Sequence, residues 1–154
     1  MTVSRAAALS FTGLLLCLSA CVSPGGARAA GEVISADVVV YGGTAGGAAA
    51  AVQARRMGKT AVLVEPGAHI GGLTSGGLGA TDIGNKRAIG GVSREFYRRV
   101  KAHYGKPEAW IHEKPGDYEN PRKTPNDDAM WTFEPKVAEA ILRDMLREAG
   151  VEVV

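Results

Sequence analysis

Two short apolar runs joined by a glycine turn and an alanine-rich segment constrain the fold of this chain more than any other feature. The first run is residues 37–41, which glycines end, and the second is residues 61–64. Between them, residues 48–57 are strong helix formers, and Gly58 can end a helix in the left-handed conformation. Short continuous apolar runs are typical of parallel strands buried on both faces. The sequence therefore predicts a β-α-β unit with residues 37–41 as a central strand.

The glycine turn, residues 42–47, is where such a unit can bind a phosphate group. The first amides of a helix have no partner within the helix, and the helix dipole favours an anion beside them. Gly42 permits the sharp turn, and Gly47 allows the helix and the strand to pack closely. Glu65 ends the second apolar run, where a carboxylate accepts hydrogen bonds from ribose hydroxyls and disfavours the 2′-phosphate of NADP. These features predict a dinucleotide site.

One residue departs from the usual G-x-G-x-x-G spacing, because Thr44 occupies the position of the second glycine. Its side chain either crowds the pyrophosphate or donates a hydrogen bond to a phosphate oxygen, provided that the backbone keeps a negative φ. We favour the hydrogen bond. A glycine-rich string alone is also compatible with a plain strand-to-helix turn in any α/β protein.

A second glycine cluster follows Glu65 directly. Residues 66–79 contain six glycines and continue without the helix that normally follows in a plain NAD-binding domain. Such a loop requires close approach of the backbone to another group. The cluster therefore favours FAD over NAD as the predicted ligand.

These segments resemble the FAD-dependent oxidoreductases of the glutathione-reductase-like superfamily, which includes fumarate reductase flavoproteins and L-aspartate oxidase. The likeness is strongest to an exported bacterial family of FAD-dependent oxidoreductases. The segments that carry it are residues 41–44, 64–66, 69–79 and 133–135, within residues 37–154. The resemblance implies an α/β, Rossmann-like FAD/NAD(P)-binding domain with a parallel sheet, incomplete at its C-terminus.

The resemblance also implies FAD as the cofactor and indicates which residues hold it. The pyrophosphate would lie over the glycine turn, the adenosine ribose on Glu65, and the second cluster near the ribityl chain and the flavin. The implied cofactor-binding residues are Gly42, Gly43, Thr44, Ala45, Gly46, Gly47, Glu65, Pro66, Gly71, Gly72, Leu73 and Thr74. No catalytic residue is assigned, and no metal site is expected.

Two further residues near the second cluster have alternative interpretations. His69 could attach the flavin covalently, as in related flavoproteins, although a loop histidine bonded to the backbone is the favoured interpretation. Asp82 matches an acidic position of the resembled family near the isoalloxazine, and it could equally cap the turn at residues 83–85.

The rest of the chain predicts two helices and a final strand. Apolar residues recur at helical spacing in residues 92–104, whose basic side chains we expect to form a solvated face. Residues 105–132 are a long irregular excursion, either a lid or a loop anchored to the core by its aromatic residues. Pro135 begins an amphipathic helix over residues 136–149, and residues 151–154 begin a strand.

The beginning of the chain predicts export. Arg5 precedes an apolar run, residues 6–20, which is too short to span a bilayer. Residues 18–21 resemble a lipobox, which would place a lipid on Cys21, whereas residues 27–29 offer an ordinary signal-peptidase site. We favour the lipobox. Both cysteines of the chain lie in this leader, so a thiolate metal site or a disulfide framework is excluded from the remainder.

Together these observations predict a signal peptide at 1–20, a flexible tether at 21–35 and the N-terminal portion of an FAD-binding domain at 36–154. The net charge of +2 is spread along the chain and gives no indication of a nucleic-acid partner. We expect a periplasmic or membrane-anchored bacterial lipoprotein whose full-length parent acts on a small-molecule substrate, with this portion alone inactive. The alternatives are a fragment of an NAD-binding Rossmann dehydrogenase and a noncatalytic surface lipoprotein with a nucleotide fold.

Overall fold

The predicted β-α-β unit is present at the start of the fold. The computed structural model describes residues 33–79, 83–119 and 126–154. Strand β1 (Val38–Tyr41), helix α1 (Ala45–Arg56) and strand β2 (Ala61–Val64) follow one another, and β1 pairs with β2 in parallel. Helix α1 begins within the glycine turn, earlier than the run of helix formers predicted. Gly58 follows it with a φ of +79°, as predicted for the residue that ends this helix.

Two longer helices and a short strand complete the α/β fold. They are α2 (Gly91–Tyr104), α3 (Pro135–Ala149) and β3 (Glu152–Val153). Strand β3 pairs in parallel with β2, which gives the sheet order β1-β2-β3 and confirms the predicted parallel sheet. Three short 3₁₀ turns lie at Gly72–Thr74, Lys86–Ala88 and Pro107–Ala109.

In the part of the chain that the structure describes, strand β1 lies at an edge of the sheet, which differs from the prediction of a central strand buried on both faces. Val40 packs against the hydrophobic core, but Val39 and Tyr41 are 60% and 80% exposed. Strand β2 has the central position, and Leu63 is completely buried there. An apolar run indicates only that both faces of a strand are suited to burial. The described helices cover the face of β1 that carries Val40, and the other face is exposed.

The hydrophobic core lies between the sheet and the three helices. Small side chains of α1, Ala48 and Ala51, allow close packing against neighbouring elements. The predicted apolar face of α3 is confirmed, since all of its members are buried: Val137, Ala138, Ile141, Leu142, Met145 and Leu146. The excursion contributes Trp131 to the interior, where its side chain has no exposed surface, and Phe133 directly after the excursion is buried as well. At least part of this loop is therefore anchored to the core.

The arginines of α2 form ion pairs, so the prediction of a simply solvated basic face is wrong for them. Arg99 pairs with Glu95 one turn earlier and with Glu148 of α3. Glu95 also accepts both guanidinium hydrogen bonds of Arg56 from α1. These contacts link the three helices. The Glu95–Arg99 pair is local, whereas Arg56 and Glu148 lie 39 and 49 residues from their partners, which local charge patterning does not reveal.

Several predictions fall on residues outside the described part of the chain. These include the signal peptide, the lipidation site at Cys21, most of the tether, and Asp82. Among the described residues, no helix is long and apolar enough to cross a membrane. The described residues from Ser35 to Val154 belong to one compact unit.

Candidate nucleotide-binding site

The backbone of the glycine turn leaves no room for a side chain at several of its positions. Gly42 has a φ of +103°, in the region that favours glycine, and its amide donates to the Val64 carbonyl at 2.8 Å. A Cβ atom on Gly47 would lie 2.1 Å from the Gly42 carbonyl oxygen. A Cβ atom on Gly43 would lie within 3 Å of both Ile70 and Glu65. Close packing of the turn against its surroundings therefore requires glycine at positions 43 and 47.

Thr44 caps helix α1. Its φ is −67°, which satisfies the condition set for a hydroxyl that faces a phosphate, and its Oγ1 accepts a hydrogen bond from the Gly47 amide at 3.0 Å. This capping role was not predicted, although threonine directly before a helix is a recognised signal for it. The hydroxyl hydrogen is still available as a donor, so the hydrogen bond to a phosphate oxygen stays a prediction.

The N-terminus of α1 presents a backbone donor to an anion. The Gly47 amide is used by the Thr44 side chain, and the Ala48 amide donates to the Thr44 carbonyl. Within the described ranges, Thr44 and Gly46 are exposed, and the Gly46 amide, in the first turn of α1, has no acceptor inside the helix. A backbone N–H group at the positive end of a 12-residue helix fits the charge of a pyrophosphate.

Glu65 is fixed beside this turn by two backbone amides. The Gly43 amide donates to Oε2 at 2.6 Å, and the Gly67 amide donates to Oε1 at 2.7 Å. These hydrogen bonds, that from Gly67 first, lower the pKa of the Glu65 carboxyl below its ordinary value. Each oxygen of the ionised carboxylate can accept further hydrogen bonds. The side chain is thus held in place as an acceptor for a pair of hydroxyl groups.

The second glycine cluster meets the first. The Gly71 amide donates to the Gly43 carbonyl at 2.6 Å, and Thr44 and Gly71 form a parallel bridge. Gly71 and Gly72 have φ values of +119° and +55°, and a Cβ on Gly72 would contact Thr44 at 3.4 Å. The structure therefore brings the two glycine clusters together.

The other predicted binding residues lie around this junction. Pro66 is exposed next to Glu65, and Thr74 is partly buried in the 3₁₀ turn that follows Gly71. Leu73 is 78% exposed and projects to solvent. None of these three contacts the glycine turn as closely as Gly71 and Gly72 do, and their binding roles stay predictions.

His69 is bonded to a side chain and not to the backbone, which corrects the favoured interpretation of this residue. Its Nδ1 lies 2.9 Å from Oε2 of Glu139, a residue of α3, and its side chain is 82% exposed. The hydrogen bond from His69, followed by those from Arg143 and the Ile70 amide, lowers the pKa of Glu139 to about 2. Sequence reasoning missed Glu139 because the two partners are 70 residues apart.

Metal binding has no support in the described part of the chain. There, no group of three or more His, Cys, Asp or Glu side chains could hold a metal ion. The chemistry of the junction between the two glycine clusters is instead that of backbone amides and one carboxylate.

Two comparisons with known proteins gave matches. A family model described as "FAD dependent oxidoreductase" matches residues 37–154. Among solved structures, one titled "Crystal structure of AlpK" is similar at 24% sequence identity, with a TM-score of 0.41, over 79% of this chain and 24% of that chain. The present chain thus spans about a quarter of the length of AlpK. A search of curated proteins gave no match.

Proposed function

Since the chain belongs to the FAD-dependent oxidoreductase family, we propose that the junction of its two glycine clusters binds the adenosine diphosphate half of FAD. The pyrophosphate lies at the N-terminus of α1, against the Gly46 amide. The adenosine ribose is hydrogen-bonded to Glu65. The observation that carries this proposal is the position of Glu65, which the Gly43 and Gly67 amides fix beside the turn.

FAD is the cofactor of this family, and the domain has an FAD-binding redox function. When bound, FAD supplies the hydride or electron transfer, while the protein binds and orients it. The residues of this chain contribute a backbone donor for the phosphates, a carboxylate for the ribose and close glycine packing. Gly71 and Gly72 bring the second cluster, and with it the proposed flavin end, next to the phosphate-binding turn.

We further propose that the full-length parent is an exported oxidoreductase that acts on a small-molecule substrate. The support is the apolar leader with its lipobox-like segment at residues 18–21 and the resemblance to an exported family. The lipid on Cys21 would provide its contact with the membrane.

Equilibrium binding tests the cofactor assignment. The purified full chain is incubated with FAD or with NAD, passed through a desalting column, and scanned for flavin or nucleotide absorption. We expect FAD to be retained and NAD to be lost. Retention of NAD in place of FAD would support the dehydrogenase alternative, and retention of neither would support the noncatalytic alternative. If the retained flavin stays with the chain after denaturation, His69→Ala decides whether His69 is its point of attachment.

A further inference from the structure

A second concave site lies away from the glycine turn, between the excursion after α2 and the segment that leads into α3. It is a cavity of about 260 Å³ with largely aromatic walls, and we call it the aromatic cavity. The residues that matter to its chemistry are Tyr104, Trp110, Tyr118, Phe133, Glu113 and Glu134. Gly79 also lines it, at the end of the second glycine cluster, where its carbonyl accepts a hydrogen bond from the Phe133 amide at 2.8 Å.

Hydrogen bonds within the walls hold the aromatic rings in place. The Trp110 indole Nε1 donates to the Tyr104 carbonyl at 2.8 Å, and the Tyr118 hydroxyl lies 2.6 Å from Thr132 Oγ1. The Tyr104 hydroxyl donates to Glu134 Oε2 at 3.1 Å and accepts from the Glu134 amide at 2.9 Å. Because these polar groups have partners in the walls, the aromatic and apolar parts of the lining are the main surface offered to a ligand.

The rings also support one another. The Trp110 centroid lies 5.5 Å from that of Tyr104 and 5.4 Å from that of Tyr118, with interplanar angles of 60° and 54°. Tilted packing at these distances is favourable for aromatic side chains. The cavity is therefore preorganised, which lowers the entropic cost of binding.

The charges around the aromatic cavity exclude one class of ligand. Of the described residues that line it, Glu113 and Glu134 are acidic, His112 is a titratable base, and none is Lys or Arg. Lys136 reaches Glu134 Oε1 at 3.1 Å from outside the cavity, and its side chain is 61% exposed. An exposed pair of this kind contributes little and can open to solvent. Phosphates and carboxylates are thus disfavoured inside, and positive groups are favoured.

We propose that the aromatic cavity binds a small organic cation, an amine or quaternary ammonium group carried on one ring or on an apolar group of similar size. Aromatic faces attract such cations through the ring quadrupole, and desolvation strengthens the attraction. The volume lies just below the range of about 300–1,000 Å³ that is usual for drug-sized ligands, so a single ring is the size that fits. This site goes beyond the FAD site and does not require FAD for binding.

A matched set of probes tests the proposal. Benzyltrimethylammonium is titrated into the full chain by calorimetry, beside benzyl alcohol as the neutral analogue, benzoate as the anionic analogue, and glucose. We expect saturable binding of the cation at one site, with the neutral and anionic analogues at least tenfold weaker. Equal binding of benzyl alcohol, preferential binding of glucose, or no binding of the cation would overturn the proposal.

Variants then locate the binding site. Trp110→Leu removes an aromatic face but stays apolar, and Glu134→Gln removes the charge but keeps an acceptor for the Tyr104 hydroxyl. We expect each to weaken cation binding by about fivefold or more. Asp144→Asn is the matched control, because it makes the same change of charge on the exposed side of α3 and should leave the affinity unchanged. If neither Trp110→Leu nor Glu134→Gln weakens the cation while circular dichroism shows both folded, the assignment is wrong.

FAD binding is measured on the same samples. If FAD binds and the cation does not, only the present inference is contradicted. If the cation binds and FAD does not, only the proposed function is contradicted.

Discussion

Gly47 is the residue of the glycine turn at which an added methyl group would make the closest contact with the backbone. In Gly47→Ala, the new Cβ would lie 2.1 Å from the Gly42 carbonyl oxygen, so the turn must open. We expect a loss of about 1–3 kcal/mol in the free energy of unfolding, as for other overpacked sites, and at least a tenfold loss of FAD affinity. Chemical denaturation and an FAD titration measure the two effects.

The control for this prediction lies in the same turn. A Cβ on Gly46 would meet only Thr44 Oγ1, at 3.8 Å. Gly46→Ala should therefore gain about 0.5–1 kcal/mol of stability, in contrast to the loss at Gly47, because alanine is the better helix former. Similar behaviour of the two variants would show that the close contact at Gly47 does not matter.

At the scale of single residues, the sequence predicts contacts between groups that are close along the chain or within one β-α-β unit. Gly42, Gly47 and Glu65 lie within one β-α-β unit, where spacing alone determines which groups meet. The pairing of His69 with Glu139 joins parts of the chain 70 residues apart, and only the packing of α3 brings them together. The hydrogen bond by which Thr44 caps α1 is local as well, because it joins residues three apart. Threonine directly before a helix is a recognised signal for such a cap.

The ion pairs among α1, α2 and α3 make stability depend on pH. The hydrogen bond from Arg56 is the largest cause that lowers the Glu95 pKa, from 4.5 to about 2. A carboxyl group with a lowered folded-state pKa stabilises the fold above its unfolded pKa, and this contribution is lost as pH falls towards 2. The Glu95 side chain is 28% exposed, and we expect a contribution of about 1 kcal/mol.

Urea denaturation of the wild type and of Glu95→Gln at pH 7 and pH 3 measures this term. The difference in stability between the two proteins should be present at pH 7 and shrink at pH 3. Asp144→Asn, which affects only an exposed pair within α3, should show little difference at either pH. A Glu95→Gln effect that stays the same at both pH values would contradict the electrostatic explanation.

The central strand and its contacts carry the apolar core. Leu63 in β2 is completely buried, and Leu63→Ala should cost about 2–5 kcal/mol through lost contacts and the cavity it leaves. Leu73→Ala is the same change at a side chain that is 78% exposed, and it should stay within about 0.5 kcal/mol of the wild type. Thermal or urea unfolding compares them. Equal losses would mean that the described core does not determine stability.

Among the elements, periodicity predicts α2 and α3 well, because the spacing of apolar residues in an amphipathic helix indicates which face is buried. The apolar face of α3 is buried throughout. The same reasoning fails for β1, since a run of apolar residues does not say how many neighbours a strand has. The place of β1 at the edge follows from the pairing of β2 with β3, whose residues lie far along the chain.

At the scale of the whole molecule, the leader gives a prediction about location. If Cys21 carries a lipid, Cys21→Ser should move the bacterially expressed protein from the detergent phase to the aqueous phase in a Triton X-114 partition. A substitution at Ala29, part of the alternative cleavage site, is the control and should not change the partition. Aqueous partition of the unaltered protein would rule out the lipid anchor.

The central claim, that the glycine turn and Glu65 bind the adenosine diphosphate half of FAD, is tested most directly by competition. The full chain is titrated with FAD, and ADP and FMN are then used as competitors, for the wild type and for Glu65→Gln. We predict that ADP displaces FAD and FMN does not, and that Glu65→Gln weakens FAD and ADP alike by about tenfold, the loss of a hydrogen bond to a charged group. Displacement by FMN, or an unchanged affinity in Glu65→Gln, would contradict the account.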